Sequence, residues 1–544
     1  MARLPIPAIA PIVASLLLGG ATVLGFAPFG FSALPVLTLA GLFALWRRAP
    51  SPRVTAWLGF AFGLGLFGTG VSWLYLALAM FGGMAGLLAA LATALFCVYL
   101  ALFPALAGWA TARVTGIAAP ERLAAAAAFW ILTEWLRTWL SLAMPWLAAG
   151  YAQTQAPLAG YAPLGGVFLV SLAVAASAAL VAYAAEAFRP ARRRAAVAAA
   201  ALLAVWIAGF ALRSIEWSRA DRDPVAVSLV QGNIDQDLKF EAKYREQTLA
   251  IYAELVAQAK GRLIVLPESA LPMFADEVPV EYVARLRAAA QQRGGDLLMG
   301  LFFFEPRAAG EDEDHYFNSV VSVGTAPAQV YRKRHLVPLG ETIPAKPVVG
   351  WFIRRVLHIP LADQTPGPAF QAPFEVAGER VAVNICYEDA FGSELLGALP
   401  EATLLINVTN DAWYGRSFAA EQHEQIAAMR AIETARPMLR STNTGITSII
   451  DHHGKELARL PWFTRGVLEG AIAGRIGTTP YVRFGDTLAV FAAVVLAGAA
   501  FAFGRRRAGR TRGRRSARPA MRPRSGSRSG RGRSSSGRLA ARRC

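Results

Sequence analysis

The chain has 544 residues, 55% hydrophobic and 17% charged, which makes it too long for one ordinary domain and too apolar for a soluble protein. Its formal net charge of +18 lies almost wholly in residues 505–544, which hold 16 Arg and no Asp or Glu, so the charge does not imply a basic active site. Three scattered cysteines exclude a disulfide framework, and neither Cys nor His shows a metal-binding spacing, so no metal or cofactor is predicted.

Eight apolar runs are long enough to be candidate membrane spans, for which roughly 20 residues are needed. Arg-containing connections follow the second, fourth, sixth and eighth runs, whereas the intervening connections hold no Lys or Arg. This alternation predicts that both termini are cytoplasmic and that the long segment after the seventh run is outside the cytoplasm. The second run is short and could be re-entrant. The predicted spans are 8–25, 31–46, 54–77, 84–110, 123–143, 162–185, 195–212 and 486–504.

These runs divide the chain into four predicted parts. Residues 1–213 form a membrane domain of seven transmembrane helices, 214–484 an extracytoplasmic globular domain, 485–504 an eighth transmembrane helix and 505–544 a disordered cytoplasmic tail. The tail has too few apolar residues to build a core. Its arginines are expected to bind anionic lipid at the inner leaflet. Arg runs also bind RNA, but no nucleic-acid partner is required for the predicted function.

The fifth run contains two charged residues, Glu134 and Arg137, one helical turn apart. Charges at membrane depth are costly and usually face protein or a water-filled cavity. Two interpretations stay open: an ion pair that fixes helix packing, or a polar lining near the outer interface. The nearby tryptophans are most simply an interfacial belt. They are Trp135, Trp139 and Trp146.

Between residues 214 and 484, short β-rich runs alternate with helical patterns, which predicts an α/β layered domain. The predicted strands are Val225–Val230, Leu263–Leu266, Leu297–Phe303, Ser319–Val323, Arg380–Cys386, Thr403–Val408 and Ser441–Ile450. The predicted helices are Phe240–Ala259, Pro279–Gln292 and Glu421–Ala435. Several chemically capable residues fall at strand ends, where such folds place their sites.

Three of these side chains together could carry out acyl chemistry. Cys386 ends an apolar strand run, Glu268 follows another strand, and Lys333 lies in a polar segment. A thiol is a nucleophile once a carboxylate accepts its proton, and an ammonium stabilises the oxyanion that forms. Each residue taken singly has a simpler interpretation. Cys386 also fits a buried small hydrophobe, Glu268 a helix-capping or surface carboxylate, and Lys333 an exposed basic loop.

The motifs around these residues resemble the three signatures of the nitrilase (carbon–nitrogen hydrolase) superfamily: Pro267-Glu268, Tyr331-x-Lys333-x-His335 and Cys386-Tyr387-Glu388. Together with the membrane flanks, the sequence is similar to the apolipoprotein N-acyltransferase family. The resemblance covers the chain to about residue 504. It also rests on motifs within Gly63–Trp73, Glu134–Gln153, Gln231–Asn233, Asn410–Gly415 and Arg436–Gly445.

The resemblance implies a nitrilase-like α-β-β-α sandwich inserted between transmembrane helices. It implies that Cys386 is the nucleophile, Glu268 the general base and Lys333 the oxyanion-stabilising cation. Where that family commonly has Trp, this chain has Phe240, which keeps an aromatic face and loses the indole N–H. Supporting or substrate-binding roles are implied for Glu341, Tyr387, Glu388, Phe240, Asn318 and Trp413.

The implied reaction has two steps at the periplasmic face of the bacterial inner membrane. A glycerophospholipid donates an acyl chain to Cys386 as a thioester, and the α-amino group of the N-terminal S-diacylglyceryl-cysteine of an apolipoprotein then accepts it. A membrane-anchored amidase or nitrilase acting on a small amide, and a non-enzymatic transporter or scaffold, are the alternatives. Structural or surface roles are expected for His335, His423, His452 and His453, and His315, beside the acidic run 311–314, is expected to be a solvated loop residue.

Overall fold

A computed structural model describes residues 9–114, 121–140, 142–307, 314–338, 340–343 and 363–516. Apolar helices precede and follow a domain that is built on two six-stranded sheets. The helices of the membrane part are Ile9–Thr22, Leu34–Arg48, Pro52–Gly70, Leu74–Leu76, Gly86–Val114, Glu121–Leu136, Ala162–Ala187, Arg192–Arg213 and Thr487–Ser516.

Four helices in the described part of the chain are long and apolar enough to cross a membrane: Gly86–Arg113, Pro157–Ala187, Arg192–Arg213 and Thr487–Arg506. A fifth arises if Pro52–Gly70 and Leu74–Phe81, which meet at a 57° bend, form one span. The remaining apolar helices of the first 136 residues are shorter. The count of eight spans therefore stays a prediction.

Two predicted boundaries in the membrane part are wrong. The helix of the fifth run ends at Leu136 and not near 143, because the chain turns back there and the Met144 N–H donates to the Arg137 carbonyl at 3.4 Å. The last helix continues to Ser516, so the start of the predicted disordered tail is helical. The rest of that tail, from residue 517, lies outside the described residues.

The two large sheets are mixed, and each has a parallel core. The described strands are β1 Ser218–Ala220, β2 Val225–Gln231, β3 Leu263–Val265, β4 Asp296–Glu305, β5 His315–Gly324, β6 Val330–Arg332, β7 Phe374–Val376, β8 Glu379–Ile385, β9 Leu404–Thr409, β10 Met438–Thr442, β11 Ser448–Ile450, β12 Glu456–Arg459, β13 Gly466–Ile472 and β14 Arg475–Gly477. The order in the first sheet is β13-β2-β3-β4-β5-β6, and in the second it is β12-β11-β10-β9-β8-β7. Strands β1 and β14 form a separate antiparallel ribbon.

The sheets contact each other through β10, where the Ser441 hydroxyl lies 3.0 Å from the carbonyl oxygens of Val230 and Val265. Helices pack on the remaining faces: Tyr252 and Leu286 are buried beside the first sheet, and a helical alanine stripe is buried beside the second. These contacts bring the carboxyl ends of parallel strands from both sheets to one edge. The helices in the described residues of this domain are Gln236–Lys239, Arg245–Gln258, Val280–Gln292, Gly392–Leu395, Ala419–Thr434 and Pro480–Phe484.

Two predicted elements of this domain differ from the structure. The predicted strand Ser441–Ile450 is two antiparallel strands, β10 and β11, because the Asn443 side chain turns away to bind the Ile234 backbone at 2.8 and 2.9 Å. The predicted helix from Phe240 begins instead at Arg245. It starts late because the preceding segment folds as short turns that bury Lys239.

Candidate active site

Cys386 lies at the sharp turn that follows β8. Its φ of +54° falls in the left-handed region, which costs a residue with a side chain about 1–2 kcal/mol. The Cys386 carbonyl accepts a hydrogen bond from Asn407 Nδ2 at 3.1 Å, and His423 Nε2 lies 3.3 Å from the same oxygen. These contacts hold the strained turn that presents the thiol.

Lys333 is buried and not part of an exposed basic loop, so that alternative is wrong. It directly follows β6, and its Nζ lies 3.3 Å from Glu268 Oε1 and 2.7 Å from Glu341 Oε1. Asn318 Nδ2 donates to the same Glu268 oxygen at 2.8 Å. The structure therefore brings four of the predicted site residues into one hydrogen-bonded cluster.

Burial and neighbouring charges shift the pKa of Lys333 in this cluster and of the nearby Cys386 thiol. Burial acts to lower the pKa of the Lys333 ammonium, but the Glu268 and Glu341 carboxylates raise it well above its usual value. Burial raises the pKa of the Cys386 thiol, Glu268 raises it further, and Lys333 opposes them. In the resting site, Lys333 is thus an ammonium and Cys386 a protonated thiol. Glu268 and Lys333 both act electrostatically on this thiol.

Lys239 is a buried residue of the site that the sequence analysis did not identify. Its Nζ donates to the Glu268 carbonyl and to Ser269 Oγ, both at 3.1 Å. Ser269 has a φ of +43°, so the ammonium holds a strained turn that carries Glu268. Burial lowers the pKa of Lys239 to about 8, although Glu268 and Cys386 act to raise it.

Glu388 links the Cys386 turn to the segment that carries Lys333. Its carboxylate accepts from the backbone N–H groups of Ile385, Arg334 and His335 at 2.6, 2.7 and 3.1 Å. Burial raises the pKa of this carboxyl to about 7, and these donors act in the opposite direction. Glu388 therefore fixes the relative position of two chain segments.

Beneath the Cys386 turn, four fully buried residues form a charge network. His423 Nδ1 lies 2.9 Å from Asp411 Oδ1, and His423 Nε2 lies 2.9 Å from Asp389 Oδ1. Arg440 binds the other oxygen of each carboxylate, at 2.9 and 3.2 Å. Arg440 also donates to Asn407 Oδ1 at 2.7 Å, which connects the network to the Cys386 carbonyl.

The site abuts the membrane domain through Tyr387. Its hydroxyl donates to the Ala143 carbonyl, and its ring stacks on that of Trp146 with centroids 6.4 Å apart. The Trp146 indole N–H donates to Gln422 Oε1 at 2.8 Å. Trp146 is fully buried here, so its assignment to an interfacial belt is wrong.

The two charged residues of the fifth run have other partners. Glu134 Oε1 accepts from Trp130 Nε1 at 2.8 Å and from the Ala149 N–H at 3.0 Å. The Arg137 guanidinium lies 4.9 Å from the centroid of the Phe67 ring. Within the described residues no salt bridge joins Glu134 to Arg137, so the two charged groups do not form a direct ion pair.

Phe240 and Trp413 lie at the periphery of the site. Phe240 is about half exposed, with its ring centroid 6.4 Å from that of Phe302. Trp413 is also partly exposed and meets Phe81 of the bent membrane helix edge to face at 6.0 Å. Neither residue is brought into hydrogen-bonding contact with Glu268, so their substrate-binding roles stay predictions.

Two family models match this chain. Residues 18–180 match an apolipoprotein N-acyltransferase N-terminal domain, and residues 226–481 match a carbon-nitrogen hydrolase. A protein of Nitrosomonas europaea named apolipoprotein N-acyltransferase is 48% identical, over 91% of this chain and 98% of its own length. Proteins of the same name from Methylococcus capsulatus and Ralstonia nicotianae are each 43% identical, over 90% and 92% of this chain and 95% and 94% of their own lengths.

These matches confirm the resemblance that was inferred from the motifs. The catalytic domain has a nitrilase-like carbon–nitrogen hydrolase fold with mixed sheets, attached to several apolar helices. The sandwich arrangement and the roles of individual residues stay predictions.

Proposed function

This chain belongs to the apolipoprotein N-acyltransferase family, and on that premise we propose how its site transfers an acyl group. The chain is an acyltransferase of the bacterial inner membrane that N-acylates lipoproteins. The donor is a membrane glycerophospholipid, and the acceptor is the α-amino group of an N-terminal S-diacylglyceryl-cysteine. The observation that carries this proposal is the cluster of the buried Lys333 and Glu268 with Glu341, beside the strained Cys386 turn.

In the first step, Cys386 Sγ attacks the ester carbonyl of the phospholipid while its proton passes to Glu268. The oxyanion of the tetrahedral intermediate is stabilised by the Lys333 ammonium, and one well-placed donor of this kind lowers a barrier by about 3–4 kcal/mol. The carbon–oxygen bond then breaks, the leaving alkoxide takes the proton from Glu268, and a lysophospholipid departs. The thioester on Cys386 remains.

In the second step, the amino group of the lipoprotein attacks the thioester carbonyl. Glu268 accepts a proton from the nitrogen, the carbon–sulfur bond breaks, and the thiol of Cys386 regains its proton. The product is an amide. Water competes with the amine at this stage, and the burial of Cys386, with 7% exposure, limits its access.

Both substrates are anchored in the bilayer, so the site must open close to a membrane surface. The contacts of Tyr387 with Ala143 and Trp146 support such a position, because they join the active-site turn to the membrane domain. The distribution of Arg between spans supports a periplasmic catalytic domain, cytoplasmic termini and eight crossings. The contacts of Tyr387 with the membrane domain also favour a lipid substrate over the small amide that a membrane-anchored amidase would use.

The test uses the full chain in phospholipid vesicles with a labelled acyl donor and a synthetic diacylated lipopeptide. We expect N-acylated lipopeptide from the parent and from a Cys97→Ser control, whose altered thiol lies in a membrane helix. Cys386→Ala should insert into the membrane and give no product. Product formation by Cys386→Ala, or hydrolysis of small amides with no lipopeptide product by the parent, would contradict the proposal.

A further inference from the structure

Three potential metal ligands meet at the junction between the membrane domain and the catalytic domain. His452 Nε2 lies 3.1 Å from Glu216 Oε2, and His453 Nε2 lies 2.9 Å from Glu216 Oε1. The ligand atoms of the three residues all lie within 4.8 Å of one another. The centroids of the two imidazole rings are 4.0 Å apart. Both rings direct Nε2 toward the Glu216 carboxylate.

The junction itself explains why these residues converge. Glu216 lies between the end of helix Arg192–Arg213 and β1, and β1 pairs with β14, which leads to the last membrane helix. The two histidines occupy the turn between β11 and β12. The sequence gives no sign of this cluster, because Glu216 is 236 residues away from His452.

Neighbouring groups hold the turn that carries the two histidines and the carboxylate of Glu216 in place. Asp451 Oδ1 accepts from the backbone N–H groups of His453 and Lys455, both at 2.9 Å, which fixes the turn. Arg475 Nη2 binds Glu216 Oε2 at 3.0 Å, and Arg475 Nε donates to Ser218 Oγ at 2.8 Å. Ligating carboxylates are usually oriented by outer partners of this kind.

We propose that Glu216, His452 and His453 bind a Zn²⁺-class divalent cation that fastens the junction between the two domains. Two imidazoles and one carboxylate are a donor set that zinc accepts, with a fourth position open to water. Ligand atoms about 2.0–2.2 Å from zinc lie about 3.4 Å apart in a tetrahedron. The three atoms therefore need to approach one another by no more than about 1.4 Å.

The cluster is accessible to a cation and separate from the proposed chemistry. The side chains of Glu216 and His453 are 56% and 36% exposed. None of the three residues contacts Cys386, Glu268 or Lys333 through a hydrogen bond in the described part of the chain. The inference therefore does not depend on the acyl-transfer proposal, and the two can fail separately.

The test measures zinc binding by untagged full-length protein in detergent, after chelator treatment, by competition with a chromophoric chelator. We expect one equivalent of zinc per chain in the parent and in a His315→Ala control, which removes a histidine elsewhere. His452→Ala/His453→Ala should lose this equivalent, and Glu216→Gln should weaken binding at least about tenfold. A Co²⁺ spectrum should lack thiolate charge-transfer bands, which excludes the cysteines as ligands.

Thermal unfolding with and without zinc separates a metal site from a plain hydrogen-bonded cluster. Zinc should raise the unfolding midpoint of the parent and of His315→Ala but not that of the double histidine variant, since a ligand that binds only the folded state stabilises it. An unchanged zinc equivalent in the double variant, thiolate bands with Co²⁺, or no zinc binding by folded parent would each overturn the proposal.

Discussion

His423 is enclosed by two carboxylates, and this arrangement allows a quantitative prediction about its charge. An ionised carboxylate only accepts hydrogen bonds, so ring nitrogens 2.9 Å from Asp389 and from Asp411 must both carry protons. We therefore predict that the ring is an imidazolium, in line with the direction in which the two aspartates shift its pKa. With Arg440 it balances the two aspartates, and the buried network is neutral overall.

His423→Gln removes one positive charge and leaves two aspartates facing one arginine. Breaking a buried ion pair by removing one partner costs about 3–5 kcal/mol. Because about 1 kcal/mol corresponds to roughly 2–4 °C for a domain of 150–250 residues, the unfolding midpoint should fall by about 6–20 °C. The Cys386 carbonyl also loses a neighbouring donor, so alkylation and acylation of the thiol should change in rate.

A charge-balanced variant provides the matched control. His423→Gln/Asp389→Asn again pairs one arginine with one aspartate, so it should recover at least half of the lost midpoint. The assay is thermal unfolding of the detergent-solubilised chain, followed by tryptophan fluorescence. A single variant within about 2 °C of the parent, or a double variant that loses the sum of both single effects, would refute the imidazolium assignment.

Further predictions concern pH and the other charged groups of the site. Burial and Arg440 act to lower the pKa of His423, but Asp389 and Asp411 raise it above 6.5. The protonated His423 therefore contributes its full stabilisation below pH 6.5, and this stabilisation is lost as the pH rises through the raised pKa. The midpoint of the parent should accordingly fall more steeply above pH 6.5 than that of His423→Gln/Asp389→Asn, and parallel profiles would contradict this. Lys333→Gln should slow acyl-enzyme formation about 10²–10³-fold by loss of oxyanion stabilisation, whereas the exposed control Lys243→Gln should not; equal rates would remove Lys333 from this role. Lys239→Met should slow acyl-enzyme formation about 10–100-fold, because the turn that carries Glu268 is no longer held. An unchanged rate of acyl-enzyme formation would contradict this role of Lys239.

The sequence predicted the parts of the site that are encoded locally. Cys386 and Glu268 follow apolar strands, and such runs are readable because a buried parallel strand has few polar residues. Lys333 could be identified only through its motif, since a basic segment alone indicates an exposed loop. The burial of its ammonium depends on Glu341, eight residues further along the same segment, and on Glu268, which is 65 residues away and could not be paired with it from the sequence.

The supporting network could not be predicted, because its partners are distant in the chain. His423 lies 34 residues from Asp389, and Lys239 lies 29 residues from Glu268. On its own helix, His423 fits an ordinary buried or surface position. Its role depends on how the second sheet brings β8, β9 and β10 together.

The fold shows the same division between local and non-local information. The seven predicted strand regions lie in the two large sheets, whereas six strands of the described residues went unpredicted: β1, β6, β7, β12, β13 and β14. Five of these have only three or four residues, and β13 alternates between buried and partly exposed positions at a sheet edge. These six strands are recognised by their pairing with a neighbouring strand, because they have no distinct apolar run in the sequence.

The central claim is that Cys386 carries the acyl group between two lipid substrates. The most direct measurement is the intact mass of the full chain after incubation with phospholipid of one defined acyl chain, with peptide mapping of the adduct. We expect one acyl group on Cys386, which disappears when diacylated lipopeptide is added and reappears as an amide on the peptide. Lipopeptide acylation with no adduct on Cys386 under single-turnover conditions, or an adduct on another residue, would contradict the account.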